Sequence, residues 1–390
     1  MAEAYIVSAL RLAGGRRGGR LAGWHPADLG AAVLNGLVDR SGIDPASIED
    51  VIMGCVSQAG EQAGNVGRYA VLASTLPESV PATSVDRQCG SSQQALHFAA
   101  ATVMAGAMDI VVAAGVESMT RVPMGTTISL AKQAGMGGPK SPGVEARYPG
   151  IQFNQIVGAE MIAKKHGFDR AALDAFSLDS HRKSKAAVES GAFDAEILPI
   201  EITKPDGSTE MHRVDEGIRF DATIESISSV KLLSEGGVVT AASSSQICDG
   251  ASGVLVVNER GLRTLGLEPL ARIHQMTVTA GDPVLMLEEP LFATERALQR
   301  SGLTIDDIDL FEVNEAFASV PLAWLKHSRA DPARLNVHGG AIALGHPLGG
   351  SGAKLMATLV HGLHRHGKRF GLQTMCEGGG LANATIVERC

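Results

Sequence analysis

Gly42-Ile43-Asp44-Pro45-Ala46-Ser47-Ile48-Glu49-Asp50-Val51-Ile52 returns 260 residues later as Gly302-Leu303-Thr304-Ile305-Asp306-Asp307-Ile308-Asp309-Leu310-Phe311-Glu312. Each copy reads as a helix end closed by glycine, a short turn opened by a capping residue, and a strand entering a core. The same offset carries Gly90-Ser91 onto Gly350-Ser351 and Glu117 onto Glu377. It lays the helix predicted over 94–104 onto the apolar-periodic run from Leu355 to Leu363, and the strand Ile110–Ala114 onto Phe370–Thr374. One register shared by so many features implies a duplicated βα-rich half. The expected fold class is therefore α/β, with two pseudo-symmetric halves.

The composition suits that reading. A chain of 390 residues exceeds a single ordinary core and predicts two or three domains. Hydrophobic residues make up 45% and aromatics only 4%, with 46 glycines, as expected of tightly packed layers built from Ala, Val, Leu and Gly. A net charge of −8 argues against nucleic acid as a partner. No apolar run approaches the ~18 residues of a membrane span. Five scattered cysteines form no disulfide framework and point to a reducing compartment, with the cytoplasm as the default. Arg11, Arg16, Arg17 and Arg20 raise the question of a transit peptide, but Tyr5–Ala9 already reads as the first strand.

Residues 119–249 have no counterpart in the second half. They are charged (Lys164-Lys165-His166, Arg182-Lys183), follow a Gly/Pro-rich approach at 137–143, and predict amphipathic helices near 156–166 and 170–190. The expected division is 1–118 with 250–268 as the N-terminal half, 119–249 as an inserted loop domain over the active site, and 269–390 as the C-terminal half.

Three reactive side chains sit in Gly-rich settings: Cys89 in Cys89-Gly90-Ser91-Ser92, His346 in Gly345-His346-Pro347, and Cys376 in Cys376-Glu377-Gly378-Gly379-Gly380. Glycine lets backbone and ligand approach closely. Thr83–Val85 predicts a strand running into a helix just after Cys89, so an imidazole and a helix start are expected to bias its thiol toward thiolate. Cys55, Cys248 and Cys390 read as small hydrophobes. His338, before Gly339-Gly340, is a catalytic or an oriented structural histidine. The run Gly345–Gly350 lacks the Lys-Ser/Thr of a phosphate loop, and the remaining histidines (His361, His364 and His366 on a solvated helix end) have no metal-site spacing. No metal is expected.

With these residues in order, the whole chain resembles the thiolases, acyl-CoA:acetyl-CoA C-acyltransferases. Cys89-Gly-Ser-Ser, Asn314-Glu315-Ala316-Phe317-Ala318, the run from Asn336 through His346 to Ala353, and Cys376-x-Gly-Gly-Gly carry the likeness. It is nearest to actinobacterial thiolases for bulky or steroid side-chain acyl groups. The resemblance implies a five-layered α-β-α-β-α fold and a homodimer or homotetramer. Coenzyme A and acyl-CoA are substrates, with no permanently bound cofactor. Cys89 would carry the acyl group, His346 activate it, and Cys376 move the α-proton. Asn314 would hold a water in one oxyanion hole, and the N–H groups of Cys89 and Gly378 would form another. Arg219 and Ser245 would contact CoA, and Phe317 would line the pantetheine tunnel.

Departures from the family pattern bear on the substrate. Asn154-Gln155 replaces His-Met, Leu287-Glu288-Glu289 replaces a Gly-x-Gly turn, and Cys248-Asp249-Gly250 replaces Asn-Asp-Gly. They put acetoacetyl-CoA in doubt, and a biosynthetic acetoacetyl-CoA thiolase becomes the second reading. A ketoacyl synthase is disfavoured by the second cysteine, and a non-catalytic acyl-CoA binder by the complete catalytic set.

Overall fold

The computed structural model describes residues 2–204 and 206–390. The first half contains β1 (Tyr5–Arg11), a short β2 (Gly15–Arg16), α1 (Pro26–Ser41), β3 (Asp50–Gly54), α2 (Val66–Ala73), β4 (Ala82–Val85), α3 (Ser91–Met104) and β5 (Ile110–Ser118). Between it and the next long strand lie α4 (Thr126–Gln133), α5 (Pro142–Arg147), α6 (Gln155–His166), α7 (Arg170–Glu189), the hairpin β6 (Ile200–Thr203) and β7 (Thr209–His212), and α8 (Ile224–Ser228). The chain continues through β8 (Cys248–Val257), α9 (Glu259–Leu265), β9 (Ala271–Ala280), α10 (Pro290–Ser301) and β10 (Leu310–Val313). It ends with α11 (Ser319–Ser328), α12 (Ala341–Leu344), α13 (Ser351–Arg365), β11 (Phe370–Glu377) and β12 (Leu381–Arg389).

The repeat is visible in the element bounds. α1 and α10 both begin at proline and end on a left-handed glycine, Gly42 at φ 64° and Gly302 at φ 73°. Proline presets the first helical φ, and only glycine takes the left-handed cap without steric cost. α3 and α13 each start at a serine after a glycine, Ser91 and Ser351, in the expected register.

Ten strands form one sheet in the order β10-β11-β12-β9-β1-β8-β5-β3-β4, with β2 on β8. Its halves meet at a seam where β1 touches β9 through only Tyr5–Arg272 and Ile6–Ala271. Apolar faces then decide the layering. Leu29, Val33 and Leu37 of α1 pack with Val66 and Val71 of α2 on one face of the first half-sheet. Leu96 and Val103 of α3 and Met356 and Val360 of α13 lie between the half-sheets, against Ile6, Val111 and Val254 on one side and Ile273 and Val387 on the other. Leu291 and Ala297 of α10, with Trp324 of α11, cover the outer face of the second. The result is the expected five-layered α-β-α-β-α arrangement.

The central layer is close-fitting. A Cβ on Gly352 would sit 2.2 Å from the Gln93 backbone nitrogen, where α13 crosses α3. A Cβ on Gly115 would sit 2.2 Å from Gly349 O. Any larger side chain at Gly352 must push the helices apart, at a cost of about 1–3 kcal/mol. This crossing brings the first turns of α3 and α13 together, and both candidate catalytic loops lead into those turns.

Candidate active site

Cys89 lies between parallel strand β4 and the start of α3, in a turn held by local hydrogen bonds. The Ser91 hydroxyl accepts from the Arg87 N–H at 2.9 Å and donates to Gln88 O at 2.6 Å. These bonds start the helix three residues before the predicted position. Gln88 is left-handed at φ 48° although it is not glycine, and such strain persists only where the surroundings enforce it. The cysteine thus stands at the carboxyl end of a strand, just before a helix N-terminus.

The expected thiolate bias is not what the surroundings produce. Burial pushes the Cys89 thiol up to about 12, and Glu377, once ionised, pushes the same way. Burial also raises Cys376 well above the ordinary value, with Cys89 and Glu377 adding to it. Desolvation outweighs the single helix terminus. Both resting thiols are therefore protonated, and a nucleophilic role for Cys89 requires a base.

His346 has the tautomer and the neutral state that such a base needs. Its Nδ1 lies 2.5 Å from the Ser351 hydroxyl, which also bonds to Pro347 O at 3.0 Å. A carbonyl only accepts, so the serine proton goes to Pro347 and its lone pair accepts from Nδ1–H. Nε2 then carries the lone pair, and it is buried without a partner. Burial, aided by Lys354, pushes the imidazole down to about 3, so the ring is neutral and can take a proton.

Asn314 follows β10 and is almost fully buried, yet neither its Oδ1 nor its Nδ2 has a partner. It borders a cavity of about 10 Å³ with Gly345, Ser351 and Lys354. That is room for about one water. An amide held ready in this way suits stabilisation of a developing oxyanion. Asn314→Ala is expected to lower kcat for thiolysis by roughly 10²–10³-fold with little change in KM; steady-state kinetics on one 3-oxoacyl-CoA substrate checks this.

Gly378 opens the turn between β11 and β12, where Gly379 and Gly380 take φ 85° and 78°. A Cβ on Gly378 would lie 2.9 Å from Gln88 Oε1, so this turn rests directly on the Cys89 turn. Cys376 packs with Phe317, Ala318, Ile342, Met286 and Leu287. The replaced loop therefore runs beside it, with Met286 left-handed at φ 61° and Glu288 bonded to His166 at 2.7 Å and Lys165 at 2.6 Å.

Two recesses lie side by side. One, of about 140 Å³, is lined by His346, Ser245, Phe317 and Gln155 together with apolar Met119, Met124, Ile156, Leu233, Ile247 and Leu348. The other, of about 230 Å³, is lined by Arg219, His181 and Ser226. Gln246 borders both. Asn154 caps α6 by accepting from the Ile156 and Val157 N–H groups, so only Gln155 of that replaced pair reaches the cavity.

Several residues escaped sequence reasoning. Arg11 is fully buried, bonded to Glu196 and to both oxygens of Asp215 at 2.9 and 3.0 Å. Lys354 reaches Asp215 and donates to Leu344 O at 2.6 Å, one residue before Gly345. This ion cluster ties β1, the 190–215 region and α13 to the strand of backbone carrying His346. Arg11 thus belongs to the core. Cys248 packs beneath Gly345, whose Cβ would meet its Sγ at 2.7 Å. His338 lies against Phe193 and His366, among aromatic rings rather than in the cavity. His361 and His364 donate to Ala9 O and Leu270 O and tie α13 to the rest of the fold.

Comparison with known proteins identifies the family. The family model for the N-terminal domain of thiolase matches residues 4–260, and that for the C-terminal domain matches 267–389. The chain is 49% identical to the steroid 3-ketoacyl-CoA thiolase FadA6 of Mycobacterium tuberculosis, over the full chain and 95% of that protein. It is 40% identical to a 3-ketoacyl-CoA thiolase of Aliivibrio fischeri and 41% to one of Aliivibrio salmonicida, each over the full length of both proteins.

Proposed function

Because the chain belongs to the thiolase family, with CoA-dependent cleavage of 3-oxoacyl-CoA as its activity, we propose that Cys89, His346 and Cys376 carry out that cleavage on acyl chains longer or bulkier than acetoacetyl. The observation that carries the mechanism is the buried, unpartnered Nε2 of His346, with Nδ1–H engaged by Ser351. His346 Nε2 takes the Cys89 proton as Sγ attacks the 3-oxo carbon. The new N–H, with Asn314, then faces the developing negative charge. The C2–C3 bond breaks, its electron pair passes into the acetyl-CoA enolate, and Cys376 S–H protonates C2. Cys376, now a thiolate, takes the proton of incoming CoA, whose sulfur attacks the acyl-enzyme. Cys89 leaves and recovers its proton from His346. Thiol, imidazole and second thiol all return to their starting states.

The substrate reading rests on the apolar lining of the recess beside His346, on the rebuilt Met286–Glu289 loop beside Cys376, and on the steroid thiolase among the relatives. In an apolar pocket each methylene is worth about 1–3 kcal/mol, so preference shows as a gradient. kcat/KM is expected to rise from acetoacetyl-CoA through medium 3-oxoacyl chains to a steroid side-chain thioester. A maximum at acetoacetyl-CoA with a steady fall thereafter would sink this reading.

Arg219, Ser245 and Phe317 are the proposed CoA contacts, supported by their positions in the two recesses that share Gln246. Homo-oligomerisation is supported by β4, a sheet-edge strand with one neighbour, beside exposed Tyr69 and Phe98. Cytoplasmic residence is supported by five unpaired cysteines. Among the described residues no helix is long and apolar enough to cross a membrane.

A further inference from the structure

The duplication sets up a controlled comparison between two buried glutamates. Glu117 ends the first half much as Glu377, 260 residues on, ends the second, and both are fully buried. Glu117 accepts four hydrogen bonds. Val56 N–H and Gly349 N–H reach Oε2 at 2.9 Å each, while Ser57 N–H at 3.0 Å and the Gln62 amide at 2.8 Å reach Oε1. Two donors per oxygen fill an ionised carboxylate. Glu377 has no such set: neither of its oxygens has a partner at hydrogen-bond distance, and only the Asn383 backbone N–H draws on it weakly. Burying an unpaired carboxylate costs far more than burying a neutral acid.

The surroundings hold an acceptor that needs a proton. Asn383 on β12 spends its amide N–H groups on Gln94 Oε1 at 3.4 Å and His97 Nδ1 at 3.2 Å, and its Oδ1 has no partner. Glu377 Oε1 and Asn383 Oδ1 lie 1.9 and 3.2 Å from the point where a Gly90 Cβ would stand, hence within about 5 Å of one another. Two bare acceptor oxygens facing the same spot are the arrangement that a proton carried by Glu377 would serve. That spot is the N-cap of α3, the residue after Cys89. Gly90 has no side chain where Glu377 packs.

We propose that Glu377 is a positioning residue for the nucleophile: it is held as a neutral carboxylic acid that hydrogen-bonds Asn383 and packs against Gly90, and loss of its proton disables Cys89. The proposal rests on Cys89 being the nucleophile. Groups facing Glu377 are Asp86 and Arg87 from the turn before Cys89, the two thiols Cys89 and Cys376, and neutral His97 on α3. Burial pushes Glu377 up to about 9, against the pull of Arg87 and of the Asn383 backbone. Below that pH Glu377 adds no charge to the push of Glu117 and Asp86 against the Cys89 thiolate formed during attack; above it a further carboxylate does.

The test follows iodoacetamide alkylation of Cys89, located by peptide mass, alongside kcat/KM for 3-oxohexanoyl-CoA from about pH 7 to pH 10.5. Wild type and Glu377→Gln are expected to agree within about threefold near pH 7.5, because glutamine is also a neutral donor. Above about pH 9 alkylation of the wild type should stop rising while that of Glu377→Gln continues. The two should differ by about tenfold near pH 10, the factor carried by one unit of pKa. Asn383→Leu removes the acceptor and should move the wild-type break to lower pH; it decides the matter if Glu377→Gln does not fold. Coincident profiles, a natively folded Glu377→Gln already tenfold slower at pH 7.5, or an unmoved break in Asn383→Leu each overturn the proposal. A separate mass measurement on enzyme quenched with substrate locates the acyl group. An acyl group away from Cys89 overturns the nucleophile assignment, whereas the alkylation break still reports on Glu377.

Discussion

Cys89→Ala is expected to abolish thiolysis, with kcat falling on the order of 10⁴–10⁶-fold. Removing a nucleophile takes away the covalent route itself, and the remaining groups cannot replace it because they act as one unit with it. In this site Cys89 is the thiol beside the helix start and the Gly378 turn, and His346 is the neutral imidazole proposed as its base. Acyl-CoA binding should survive, since Arg219, Ser245 and Phe317 line recesses away from the Cys89 turn. The measurement pairs thiolysis kinetics with a thermal-shift titration of CoA. Mass spectrometry of quenched wild type should place the acyl group on Cys89. Residual turnover within about 100-fold of wild type, or acyl mass on Cys376, would remove Cys89 from its role.

The second large effect divides the reaction in two. Cys376→Ala should still accept an acyl group on Cys89 from a simple acyl-CoA and pass it to a second thiol at a substantial rate. It should lose C–C cleavage and condensation by ~10²–10⁴-fold, the usual contribution of general acid–base catalysis. The reason is that cleavage and condensation must move the α-proton of a weak carbon acid, whereas the CoA thiol, far more acidic, can exchange its proton with solvent when Cys376 is absent. Cys376 is fully buried among Phe317, Ala318, Ile342 and Leu287, a dry setting that keeps its thiol protonated until a carbanion forms beside it. Near-wild-type thiolysis in this variant would show that another group supplies the proton.

The repeat was legible because its signals are short-ranged. A glycine cap after an amphipathic helix, a turn with its capping residue and an apolar strand each occupy a few neighbouring residues, and their common offset survives in the strands and helices that form. Even there, local chemistry beyond apolar periodicity set the boundary: α3 begins at Ser91 because its hydroxyl closes the Arg87–Gln88 turn. In the replaced pair Asn154-Gln155, pattern alone could not divide the roles. Asn154 turned out to cap α6 while Gln155 faces the cavity.

Residue types and their Gly-rich settings, read from the chain alone, were enough to name the family and to nominate Cys89, His346 and Cys376. The state of those groups was decided by partners hundreds of residues away. Arg11 looks like one more N-terminal charge until Glu196 and Asp215 enclose it. Glu117 and Glu377 occupy equivalent places, yet one meets four donors and the other none at hydrogen-bond distance. The Cys89 thiol lies at a helix start, as the sequence implied, but burial raises it where the helix alone would lower it. Secondary structure and repeats follow from short-range propensity and patterning. Protonation, tautomer and strain follow from desolvation and from which donors the packed layers bring within reach, and neither exists until the two halves close on α3 and α13.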